Sequence, residues 1–279
     1  MVGPPELPGL APKAMAAIYQ LAEEQKSNIK ITVSCYMLEM YLDDLFDLLL
    51  DKAHKKNPPA LKIYAGKDDR VEIKNATIKP AENLEALEKI FDEGMKHRHV
   101  TKTKMNDESS RSHMVFAILL HVQNLQTGQV QKGKLSLIDL AGSERLSKTG
   151  ATGQTAKEGS AINQSLSQLG NVIHALAHNE KVIPYRGSKL TELMRDSLGG
   201  NAKTLMFVNI SPADYNVDET GMALLYAQRV KMITNDSSAA KESKEMDELK
   251  HKNKALKKQL ADAGIAVVED EDEALDDKE

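Results

Sequence analysis

Cysteine is almost missing from this chain: Cys35 is the single one in 279 residues. That excludes an internal disulfide and any cysteine cluster for a metal, fits a reducing compartment, and leaves Cys35 as a small, buried, apolar side chain. No apolar run approaches the ~18 residues that a membrane-spanning helix requires, and the N-terminus lacks a signal-peptide pattern. No internal repeat is present. A strong overall charge is also absent, since the formal net charge is −4. The placement is nevertheless uneven. Ile265–Glu279 holds eight acids and one lysine, which leaves the residues before it at +3. A mildly basic body with an acidic tail suits a polyanionic partner and a self-competing tail, and equally a solubilising end.

The length suits one large domain, or one domain plus appendages, and 41% apolar with 28% charged residues is ordinary for a globular protein. Met1–Pro12 is too rich in Pro and Gly for a regular element. A helix is expected over Ala14–Gln25, then a β-rich stretch over Ile29–Tyr41 running into a short helical segment, Leu42–Leu50. Leu61–Tyr64 and Val71–Ile78 read as paired strands, and Asn83–Arg98 as an amphipathic helix. Val115–Val122 and Lys134–Leu140 make a hairpin, and Gly150–Gly159 a switch-like loop. Helices over Ala161–Ala177, Lys189–Ser197 and Asp218–Ile233, with a strand over Thr204–Ile210, complete an α/β body. From Thr234 the composition turns polar and charged.

Two stretches carry chemistry. The first is Asp139-Leu140-Ala141-Gly142-Ser143-Glu144, at the end of the apolar run Leu135, Leu137, Ile138. A strand-end carboxylate can hold a metal or its water, and a bare glycine amide can hold a phosphate oxygen. An isolated Asp-x-x-Gly is also an ordinary turn. The second is Asn106-Asp107-Glu108-Ser109-Ser110-Arg111-Ser112-His113, in the loop entering the preceding strand. Its hydroxyls are hard ligands for magnesium or a phosphate-bound water, and its Arg is a fork-shaped donor for a carboxylate. Together they supply two halves of a nucleotide-state detector from neighbouring strands.

These motifs resemble the switches of the kinesin motor domain, Asn106–His113 the first and Asp139–Glu144 the second. Further matches follow in the family's order: Ile162–Gly170, Ile183–Thr191, Asp196–Asn201 and Leu225–Val230. The resemblance covers roughly residues 9–233. It implies a partial kinesin-type P-loop NTPase fold, a central mainly mixed β-sheet flanked by helices, with ATP and Mg2+ as cofactors. By position, Ser110 would face the magnesium, Ser109 the attacking water, Asp139 the magnesium through water, and Gly142 the γ-phosphate. Asn106 joins the nucleotide-binding set, and Arg111 with Glu144 would form the salt bridge that closes the switches. The microtubule face would comprise Arg145, Lys148, Lys157, Arg186 and Lys189, with Lys67 and Arg70 as weaker candidates. Tubulin's acidic surface gives such a set its salt-sensitive attraction, although each taken alone is a solvated charge. No nucleic-acid or membrane partner is indicated, and the expected location is the cytoplasm, on the microtubule cytoskeleton.

The family's phosphate-cradling loop, G-x-x-x-x-G-K-[ST], has no counterpart. Gly128–Leu135 imitates it, but Leu135 has no hydroxyl for magnesium and a strand follows where a helix is needed, so this is a hairpin turn. The expectation is the C-terminal part of a motor domain over 1–233, with unpaired sheet edges and an incomplete core. Residues 234–264 form a basic helical segment and 265–279 an acidic tail. This order resembles the plant-type calmodulin-binding kinesins, minus-end-directed members of the C-terminal-motor class. Met246, Leu249, Leu256 and Leu260 share a face ringed by lysines, as a calmodulin target does, but no aromatic anchor lies between Ser237 and Gly264. Met246, Leu249, Asn253, Leu256 and Leu260 also fit a short heptad seam for a dimer, and a solvated helix is the third reading. At the level of function, an ATP-driven motor, a non-hydrolysing microtubule-binding module and a different switch-bearing hydrolase stand as alternatives. The ordered microtubule-face motifs speak against the last.

Overall fold

Strand β1 (Ile29–Tyr41) is covered on both faces, and the layers of the fold follow from its alternation. The structure is a computed structural model that describes residues 1–4, 6–51, 54, 56–66, 70–98, 111–143 and 154–235, with Lys252 and Leu256; over 154–158 it describes the backbone alone. Val33, Cys35 and Met37 face helices α1 (Leu10–Glu24) and α2 (Leu84–His97), packing with Met15, Leu87, Ile90 and Phe91. Tyr36 and Leu38 face the small sheet formed by β3 (Lys62–Ala65) and β4 (Val71–Lys74). Met40 reaches a third cluster with Leu169, Val172 and Ile173 of α3 (Gln154–Ala177). A strand with both faces buried loses the apolar–polar alternation, as Cys35, Tyr36, Met37 and Leu38 do between Ser34 and the buried Glu39.

The main sheet has the order β2-β1-β6-β7, with β2 Asp44–Asp47, β6 His113–Asn124 and β7 Val130–Asp139; β5 (Lys79–Ala81) also pairs with β1. Mixed α/β content is as expected. Among the described residues, however, every ladder is antiparallel rather than mixed: the β1–β2 and β6–β7 hairpins are joined through the antiparallel β1–β6 ladder. Gly128, at φ 72, sits in the β6–β7 turn, while Gly133 and Lys134 lie within β7, so the imitation phosphate loop is part of a hairpin. Cys35 is fully buried and burial pushes its thiol up to about 12, a packing residue rather than a reactive one.

Several sequence expectations are corrected. Leu42–Leu50 is not helical. Leu42 and Asp43 take φ 50 and 63, the left-handed pair that closes a two-residue hairpin, and the chain returns as β2. Asp43 Oδ1 accepts the Lys189 amide at 3.0 Å, which pins that tip. Helix α1 begins at Leu10, with Pro12 in its first turn, where a missing N–H leaves no intrahelical bond unmade. Helix α3 starts at Gln154, inside the expected loop. The helix expected over 189–197 is split at Met194 into α4 (Lys189–Leu193) and α5 (Arg195–Leu198), and α6 spans Val217–Lys231.

The largest departure is Thr204–Ile210, which belongs to no strand and no helix. A strand exists only with a hydrogen-bonded neighbour, and among the described residues this segment has none. Leu205, Phe207 and Ile210 are 76%, 60% and 54% exposed, so the large apolar side chains of this segment are left uncovered among the described residues. The chain divides into two units, Met1–Asn235 and Asp236–Glu279. In the second, Lys252 and Leu256 lie in helical backbone and Leu256 is exposed.

Phe91 is 2% exposed and meets Phe116 edge-on, with centroids 4.9 Å apart. Truncating it leaves a cavity between α2 and the sheet. Phe91→Ala is expected to lower unfolding free energy by about 3–5 kcal/mol in urea denaturation, with little change in m-value.

Candidate functional site

The register of β6 against β7 pairs Met114 with Asp139, which puts the entry to β6 beside the exit from β7. Arg111, Ser112 and His113 therefore stand next to Asp139, Leu140, Ala141 and Gly142 at one end of the sheet. The two stretches singled out in the sequence meet there because a hairpin holds them in antiparallel register.

Arg98, the residue that caps α2, binds this end together. It is 8% exposed. Its Nη1 donates to Asp139 Oδ2 at 2.9 Å, its Nη2 to the Ser112 carbonyl at 2.9 Å, and its Nε to Ser112 Oγ at 3.4 Å. Glu39 of β1, fully buried, lies 4.0 Å from the same Nε. A guanidinium offers several directed donors at once, so one side chain can join β1, β6 and β7 in a way that a lysine cannot. Sequence reasoning missed Arg98. The available signal was a basic residue ending an amphipathic helix, in a chain whose key strand ends in an acid.

His113 is the second organiser, and it is 2% exposed. Its Nδ1 accepts the Ala141 amide at 3.0 Å, and its Nε2 lies 2.9 Å from Ser165 Oγ on α3. Ser165 Oγ donates its own proton to the Ile162 carbonyl at 2.7 Å. A neutral ring that accepts at Nδ1 must carry its proton on Nε2, so His113 donates to Ser165. Burial, then the nearby Arg98, lowers the imidazole to about 4, against a smaller opposing influence of Asp139.

The Asp139 side chain is 40% exposed, so a hydrated ion can approach its carboxylate. One oxygen is already engaged by a guanidinium. A carboxylate so compensated suits a magnesium ion reached through water better than one bound directly, and the hard oxygen donor fits that ion. Gly142 follows in irregular backbone, partly exposed. Arg111 is partly buried at the entry to β6. Asn106, Ser109, Ser110 and Glu144 lie outside the described residues.

Comparison with known proteins decides the family. The kinesin motor domain profile matches residues 1–233. The chain belongs to the kinesin motor family. It is 48% identical over 245 residues to the Kinesin-like protein KIN-14E of Arabidopsis thaliana, spanning 87% of this chain and 19% of that one. It is 40% identical over 264 residues to human Kinesin heavy chain isoform 5A, spanning 92% of this chain and 25% of that one. Among solved structures, a fast kinesin superimposes with TM-score 0.75 at 36% identity, over 87% of this chain and 69% of the other. A KIF14 dimer in complex with a microtubule gives 0.75 at 33% identity, over 88% and 72%. The chain thus spans 19% and 25% of the length of these two curated relatives.

In this kinesin chain, Arg186 is exposed in the 3-10 turn Tyr185–Gly187. Lys189 opens α4, behind a capping box made by Ser188 and Thr191, and its ammonium lies 3.2 Å from Asp44 Oδ1. Both stand on the same short segment. Lys157 lies in the backbone of α3, and Arg70 is partly buried beside β4. Lys67, Arg145, Lys148, Met246, Leu249 and Leu260 fall outside the described residues.

The lowered His113 makes a pH prediction. Its folded pKa, about 4, is below the ordinary 6.5. The unfolded chain therefore binds the proton more readily, and the stabilisation is complete above pH ~6.5 and lost as pH falls toward ~4. The loss should reach up to about 3 kcal/mol in urea denaturation. His113→Gln is expected to be less stable at neutral pH and to show a flatter profile across that window.

Proposed function

We propose that this chain is part of a microtubule motor of the C-terminal-motor class that couples ATP hydrolysis to minus-end-directed movement. The supporting observation is the junction at the sheet end, where Arg111–His113, Asp139–Gly142 and α3 are in direct hydrogen-bonded contact. In this reading Ser110 and Asp139 hold magnesium, the latter through water. Ser109 orients the attacking water, Gly142 meets the γ-phosphate, and Asn106 helps to bind the nucleotide. Arg111 and Glu144 close the switches as an ion pair. Magnesium-bound ATP supplies the transferable phosphoryl group, and the metal offsets its charge. Arg98 holds Asp139 in place. Arg145, Lys148, Lys157, Arg186 and Lys189 form the microtubule face.

A second reading has an observation of its own. No part of these 279 residues forms a G-x-x-x-x-G-K-[ST] loop, so the chain alone is a microtubule-binding module without turnover. The two readings separate in a microtubule-stimulated ATPase assay of this chain beside a version extended upstream through such a loop. The extended protein should turn over at least ~100-fold faster, since the loss of a single preorganised donor already costs that much. Comparable rates would reject the need for the cradle.

Residues 243–264 are proposed to bind calcium-loaded calmodulin through Met246, Leu249, Leu256 and Leu260, with dimerisation through the same seam as the competing use. A peptide of Ser243–Gly264 should be retained on calmodulin in calcium and released by chelator. No retention in calcium would remove calmodulin from the reading.

A further inference from the structure

One imidazole stands between helix α3 and the turn that leaves β7. The Ala141 amide donates to His113 at 3.0 Å, and His113 donates to Ser165 at 2.9 Å. All three residues are at most 6% exposed, so water does not compete for these bonds. The proton order admits one arrangement. Ser165 has given its hydrogen to Ile162 and can only accept from the ring, while the backbone amide can only donate to it. The ring is rigid, with a partner at each end, and so relates the positions of those partners closely.

We propose that His113 is a positioning residue that ties the placement of α3 to the backbone at Ala141–Gly142. Its position accounts for the choice. Asp139 is the last residue of β7 and is clamped by Arg98. Past it the chain leaves the ladder. Among the described residues, the bond from Ala141 to His113 is the hydrogen bond that holds the 140–143 backbone. A movement of α3 at Ser165 therefore reaches Ala141 through two hydrogen bonds and one planar ring, without passing through the ladder bonds between β6 and β7. This is a contiguous physical link of the kind that coupling requires. Its meaning for function rests on the reading of Gly142 as the phosphate-sensing residue; the link itself does not.

The test uses the complete 279-residue chain and amide hydrogen exchange followed by NMR. In Ser165→Ala the ring loses one anchor, and exchange at Ala141 should accelerate about ten-fold while the ladder amides of Phe116 and Leu137 are unchanged. Ser165→Thr, which keeps the hydroxyl, should restore protection. Ring nitrogen shifts of the unaltered protein should report a neutral imidazole protonated on Nε2. Unchanged exchange at Ala141, equal acceleration in the ladder, or a proton on Nδ1 would each overturn the proposal. Adding microtubules should then alter Ala141 exchange in the unaltered chain and not in Ser165→Ala, and an equal response in both would also overturn it. Failure of the unaltered chain to bind microtubules would instead count against the motor reading, with the exchange and tautomer results still deciding the link.

Discussion

The β6–β7 register is the constraint on which the site depends. With Met114 opposite Asp139, the apolar residues of both strands fall on the covered faces, Phe116 and Leu137 toward α1 and α2, Val115 and Ile138 toward the other layer. A slip by one residue would exchange those faces along the whole hairpin. It would also carry Asp139 away from Arg98 and Ala141 away from His113. The core thus enforces the geometry of the polar end: packing of large side chains in the middle of the sheet sets positions at its margin to within a hydrogen bond.

Placing a guanidinium in that margin is costly in isolation, since burial removes its hydration. Arg98 offsets this by directing its donors at Asp139 and at Ser112, with Glu39 close by. The net gain in stability from such a cluster is small, but the arrangement is specific. Removing any member leaves a charge or donor without its partner, at a cost larger than the cluster's own contribution. The same Arg98 charge helps to keep His113 neutral, and neutrality is what lets one ring face both a donor and an acceptor. Two polar residues outside the proposed catalytic set therefore hold the backbone on which the proposed chemistry depends.

Much of this was legible from the sequence where a local pattern and its tertiary setting agree. Asn83, with its side chain accepting from Ala86, and the apolar stripe of α2 specify a helix without reference to anything distant. The β6–β7 hairpin was legible from two apolar runs and a Gln/Gly turn. Leu42–Leu50 was not, because its leucines suit a helix by spacing and the deciding fact is a left-handed pair anchored by Lys189, 146 residues away. Arg98 was hidden for a similar reason: its partners come from β1, from β7 and from the segment that enters β6, and no window of sequence contains them. The motif residues themselves were visible because they cluster within a few positions. What could not be read was the set of supports that reach them from elsewhere.

Thr204–Ile210 carries that lesson furthest. Its Leu, Met, Phe, Val and Ile give it strong β-propensity, yet propensity measures fit to a pleated neighbour, and no described neighbour is present. Three large apolar side chains consequently face solvent, whereas Cys35–Leu38 of β1 and Met114–Ile118 of β6 are buried. Strand formation is therefore a property of a pair and not of a segment: residues 204–210 carry the side chains of a buried strand, and what they lack among the described residues is the ladder partner that would pair with their backbone and cover those side chains.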